Sequence, residues 1–126
     1  MRTALCVSIL AFALSGCNKQ QDNRACVPIL PGWATAGTAR GDAFVSDTVS
    51  LAGRDITWNG KRIDELTLIR FTHQLAPSSP VPFLIFDPGP SPDCEFATHV
   101  RDILDHNYPC RDGGCGQGTA ADFAPR

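Results

Sequence analysis

The 126-residue sequence predicts a small α+β domain in two layers, with elements in the order β-β-α-β-α and a C-terminal segment stapled by disulfides. Three observations carry this expectation. Short runs rich in Val, Ile, Thr and Trp are parted by turn residues, as half-buried strands are. Two later segments repeat apolar residues at the helical period, each opened by capping residues. Between them lies one compact apolar run, PVPFLIFDP, whose length and flanking prolines suit a buried strand.

In chain order, residues 18–25 contain the polar spacer NKQQDNR and read as a tether. Residues 26–41, CVPILPGWATAGTARG, hold too many prolines and glycines for a long regular element, yet Val27, Ile29, Leu30 and Trp33 are too apolar for a free linker. They read as an extended arm packed on a domain that spans 42–116. Ala43 to Asn59 carries two strand-like runs around Ala52-Gly53-Arg54-Asp55, a hairpin or meander, and Asn59-Gly60 makes a second turn before Lys61-Arg62-Ile63.

Asp64 is placed to cap a helix that Glu65 begins. On its wheel Leu68, Phe71 and Leu75 share one face, while Leu66, Ile69 and His73 share another, so the helix is expected to be sandwiched or to meet a partner. The prolines of APSSPVP end it, and a strand is expected from Val81 to Phe86. Ser91-Pro92-Asp93 then reads as N-cap, first-turn proline and early acid of a second helix. Phe96, Val100, Ile103, Leu104 and Asn107 fall within about a quarter of its wheel at ~100° per residue. The helix ends near Tyr108-Pro109. The cysteine segment YPCRDGGCGQG shows no strand alternation, and residues 117–126 read as a flexible tail.

The leader MRTALCVSILAFALSGC has Arg2, an apolar run from Ala4 to Leu14 and small residues before Cys17. This is the order of a secretory signal peptide, 1–16, with a run too short to span a bilayer. Leu14-Ser15-Gly16-Cys17 resembles the lipobox of bacterial lipoproteins. The resemblance implies that Cys17 is acylated and becomes the first residue of the mature chain, its covalent lipid the only added group. Asn18, where an Asp would favour inner-membrane retention, implies the outer membrane. Removing residues 1–16 leaves ten basic and thirteen acidic side chains, a balance of −3 with no basic stripe for a nucleic-acid backbone.

Export makes disulfides the first reading of the four mature cysteines, Cys26, Cys94, Cys110 and Cys115. Cys94 and Cys110 lie at opposite ends of the second helix, roughly 20 Å apart, beyond the span of a bridge. The favoured pairing is Cys110 with Cys115 and Cys26 with Cys94. The pairing of Cys94 with Cys115 and Cys26 with Cys110 stays open, because the tail can fold back along the helix.

The element order, with ITWNGKRIDELTLIRF, PVPFLIFDPGPSPD and CEFATHVRDIL, resembles the periplasmic domain of the ExbD/TolR family over roughly residues 44–107. That family carries a transmembrane helix with a proton-bearing aspartate, which this chain replaces with a lipid attachment sequence. The resemblance therefore implies only the periplasmic part of the task. It implies a small dimerising domain that contacts an envelope protein or peptidoglycan, as a non-enzymatic accessory of a transport or cell-wall complex.

Chemistry has few candidates. No G-x-S-x-G, H-E-x-x-H or phosphate-cradling glycine loop is present. Glu95, His99, Asp102 and His106 share one flank of the second helix within about 60° of arc, an alternative metal set. Cys94 at a helix N-terminus allows a redox role, without any C-x-x-C to support one. His73 reads as a satisfied packing residue, Asp87 as the start of a turn, and Trp33 and Trp58 as core or groove aromatics.

Overall fold

The computed structural model describes residues 26–35 and 46–124; the leader, the lipobox at Cys17, the tether 17–25 and the second part of the arm lie outside the described residues. Strands β1 (Ser46–Ala52), β2 (Asp55–Trp58) and β3 (Lys61–Ile63) precede helix α1 (Glu65–Leu75), and strand β4 (Phe83–Asp87) precedes helix α2 (Cys94–Asn107). Strand β5 (Cys115–Gln117) follows a short 3-10 turn at Cys110–Asp112. The five strands form one sheet in the order β3-β2-β1-β4-β5. The β1, β2 and β3 strands form an antiparallel meander, and β4 runs parallel to both β1 and β5.

Two turns set the meander. Asn59 adopts a left-handed φ of 50° and Gly60 one of 85°, the pair of positive angles that a tight hairpin needs. Parity along β1 then assigns the faces. Val49 and Leu51 are buried against the helices with Ile56, Leu84 and Phe86, whereas Thr48 and Ser50 lie on the opposite face. Both helices contribute to that one cluster through Leu68, Val100 and Leu104, so they cover the same side of the sheet. They run parallel: Glu65 meets His99 near the start of α1, and His73 meets Asn107 near the ends of both helices.

The α+β two-layer class holds, with two strands more than expected. Lys61-Arg62-Ile63 pairs with β2, and the cysteine segment supplies β5 despite its lack of alternation. Strand β5 forms because Leu84 and Phe86 of β4 offer it a parallel edge. Its central residue must lack a side chain, since a Cβ at Gly116 would lie 2.5 Å from the Phe123 ring. The flexible tail is likewise corrected over 117–124. Gln117 belongs to β5, and Ala120–Phe123 forms a 3-10 turn closed by a capping box between Thr119 and Asp122. Phe123 packs with Phe83 and Ile85 as a second, smaller core on the far side of the sheet. Apolar burial outweighs the freedom that an unpacked tail would keep.

The helix caps differ by one detail. Asp64 accepts the Thr67 N–H as expected, but α2 is capped by Asp93, whose carboxylate accepts the Phe96 N–H, and not by Ser91. A carboxylate also complements the helix dipole. The second apolar side of α1 is not sandwiched by the described residues, since Leu66 is 77% exposed.

Candidate functional site

Two disulfides define how the chain leaves the domain. Cys26 bridges Cys94 across a Cα separation of 5.6 Å, and Cys110 bridges Cys115 at 4.5 Å. The first pins the arm to the N-terminus of α2. The second is fully buried and closes the CRDGGC turn that leads into β5. Stapling is therefore what the two cysteines of that turn do here.

Between these bridges the arm, residues 26–35, lies along α2 and β5. Val27 and Trp33 are buried, and Trp33 meets Phe86 edge to face. Polar groups fix its backbone. The Arg101 guanidinium donates to the Pro28 carbonyl at 2.8 Å, the Gln117 amide donates to the Val27 carbonyl, and the Ala34 N–H donates to the Cys115 carbonyl at 2.7 Å. Arg101 is buried although it stands on an amphipathic helix, and Asp102 accepts two further N–H groups from it. Nothing in the local sequence pattern marks Arg101 or Gln117, because their partners are backbone carbonyls some 73 and 90 residues away in sequence.

The Trp33 indole donates to Asp105 at 3.0 Å, and Arg111 donates to the other carboxylate oxygen. Burial, the largest single influence, pushes the Asp105 pKa up. The bonds from Trp33 and Arg111 and the positive charges of Arg111 and Arg101 together outweigh it, so the carboxyl is held below the ordinary aspartate range. A depressed carboxyl stabilises the fold above its unfolded pKa and loses that effect as pH falls through the folded one. The Trp33 indole proton, followed by NMR, is expected to hold its position as pH falls from neutral through the ordinary aspartate range and to shift only below it. A shift centred near pH ~6, the ordinary histidine range, would show that another group governs the arm.

The α2 flank does not assemble as a metal centre. Glu95, His99 and Asp102 line a shallow groove with Arg54, Phe96 and Thr98, whereas His106 is not among its lining residues. His99 Nε2 lies 2.7 Å from Glu65 Oε1, and Asp102 is engaged by Arg101. Among the described residues no group of three or more His, Cys, Asp or Glu could hold a metal ion. His73 is exposed and bonds Asn107 across the helix pair, so its role is satisfied through a hydrogen bond and not through packing with Leu66. Asp87 accepts the Gly89 N–H at 2.9 Å, the turn that its sequence position suggests.

A second concavity opens where β1 and β2 meet the C-terminal half of α1. Asp47, Trp58, Phe71, Gln74 and Leu75 line a cleft of about 230 Å³. Trp58 and Phe71 meet edge to face with centroids 5.2 Å apart. Asn59 orders the rim: its side chain accepts the Thr48 N–H at 2.7 Å and donates to Asp47 Oδ1 at 2.8 Å. Burial and then the Asp47 charge push the pKa of the Tyr108 hydroxyl up to about 12. Sequence reasoning flags Trp58 but misses Asp47. The signal is present in the alternation Asp47, Val49, Leu51, which puts an acid on the apolar face of β1.

No protein-family model, curated protein or solved structure matches this chain.

Proposed function

We propose that the chain is a lipid-anchored lipoprotein facing the periplasm, held in the outer membrane through Cys17. Its domain acts there as a non-enzymatic interaction module of an envelope transport complex of the ExbD/TolR-like kind or of a cell-wall-associated complex. The observation that supports this most is the Cys26–Cys94 bridge, nine residues after the lipobox cysteine. It joins the domain covalently to the first residue of the arm, where the tether ends, an arrangement suited to an oxidising compartment and to a module that works close to a surface. Several acyl chains, at roughly 0.8 kcal/mol per buried methylene, hold such a protein on a membrane without a spanning helix. The acidic balance, the pairing of all four described cysteines in disulfides and the absence of any hydrolase motif in the sequence agree with recognition as the task.

Growth with labelled palmitate is expected to label the full chain and to leave a Cys17→Ser variant unlabelled and outside the membrane fraction. Native mass spectrometry of the purified protein, with thiol alkylation before and after reduction, completes the test. Four protected thiols, no metal and a dimer support the module. Free thiols or stoichiometric metal would instead favour a thiol-redox or metal-binding lipoprotein.

A further inference from the structure

We propose that the cleft between Trp58 and Phe71, with Asp47 on its rim, binds the alkylammonium end of a lysine side chain presented by a partner protein. The inference rests on the interaction-module reading and names the chemistry of its contact.

Asp47 carries the argument. It stands on the helix-facing side of β1, followed on that side by Val49 and Leu51, which are 0% and 7% exposed. A half-buried carboxylate on such a face is costly unless it is compensated. Asn59 satisfies one of its oxygens, and among the described residues no basic side chain pairs with it. The Tyr108 hydroxyl donates to the Pro82 carbonyl. Among the described residues, a positioned negative charge thus faces the cleft without a positive partner.

The remaining lining selects the kind of cation. Indole and phenyl rings attract a cation through their π faces, and Leu75 with Phe71 offers apolar cover for a methylene stem. The Gln74 amide adds a hydrogen-bonding group at the same opening. Guanidinium recognition favours both carboxylate oxygens in a fork, whereas an ammonium needs only one. Since Asn59 already occupies Oδ1, lysine fits better than arginine. A volume of about 230 Å³ is smaller than most sites for whole small molecules, which take about 300 to 1,000 Å³, and suits one side chain. The acidic balance of the mature chain further favours a cationic partner.

The test uses the 15N-labelled full-length mature protein in detergent micelles, titrated with N-acetyl-lysine methylamide and with its norleucine and arginine counterparts. Saturable shifts are expected at the Trp58 indole N–H and the Phe71 and Gln74 amides with the lysine probe. Norleucine, which keeps the stem without the charge, and arginine are each expected to bind at least about tenfold more weakly. Asp47→Asn keeps an acceptor for Asn59 and is expected to weaken lysine binding by at least about tenfold with an unchanged thermal midpoint. Equal binding of norleucine or arginine, no saturable shift, or undiminished binding in a folded Asp47→Asn protein would overturn the proposal. If that variant does not fold, the three probes on the unaltered protein decide. Palmitate labelling and membrane fractionation test the anchor separately, so failure of the cleft and failure of the anchored-module reading give different results.

Discussion

Replacing Cys26 and Cys94 together by serine is expected to lower the stability of the domain by about 4 kcal/mol. The bridge closes a loop with a sequence separation of 68, for which the chain-entropy relation gives roughly that figure. For a domain whose total stability is of order 5 to 10 kcal/mol, this is a large fraction. The Cys110–Cys115 bridge, with a separation of five, contributes only about 2 kcal/mol by the same relation. Urea unfolding of the two double variants, each compared with the unaltered chain, checks both values. A loss below about 1 kcal/mol for the Cys26/Cys94 pair would mean that the arm is already ordered in the unfolded reference or is not held by the bridge in the folded state.

The same variant should keep its core. Trp33, Val27, Arg101 and Gln117 still hold the arm without the bridge, so the Trp33 indole resonance is expected to remain dispersed in the absence of urea. What changes is the character of the attachment: a permanent clasp becomes a reversible one. Under the proposed anchoring, this would let the domain stand further from its lipid whenever the arm detaches.

Much of this arrangement was legible in the sequence, and the parts that were not share a physical origin. Strands β1, β2 and β4 and both helices follow from local signals: periodicity, caps and the Asn59-Gly60 turn. The length of α2 excluded only a bridge between Cys94 and Cys110; of the two pairings left open, the structure holds the favoured one, Cys110 with Cys115 and Cys26 with Cys94. Strand β5 and the folded 117–124 segment were not legible, because their structure depends on partners distant in sequence. Gly116 has no strand propensity of its own, yet its missing side chain is what admits the Phe123 ring against Phe83. Arg101 and Gln117 are ordinary polar residues until the arm brings backbone carbonyls to them. For the candidate cleft, the alternation of β1 carried the position of Asp47, but only the helix α1 placed Phe71 and Gln74 beside it.

The second large effect concerns the point where the arm touches the stapled turn. Gly32 has a φ of +86°, and a Cβ there would lie 2.1 Å from the Arg111 carbonyl oxygen and 2.7 Å from its carbonyl carbon. These are backbone atoms of the turn that the Cys110–Cys115 bridge closes, so no side-chain rotation relieves the clash. Gly32→Ala therefore combines a left-handed backbone strain with overpacking, each worth about 1 to 3 kcal/mol, and is expected to cost about 3 kcal/mol in urea unfolding. The Trp33 indole should lose its bond to Asp105 as the arm lifts. In the chain that also lacks Cys26 and Cys94, the arm is free to leave, and the added cost of Gly32→Ala is capped at what arm docking contributes. The two changes are then expected to combine less than additively, by more than about 0.5 kcal/mol. Strict additivity would show that the arm does not move as one unit between its pin at Cys94 and its contact at Arg111.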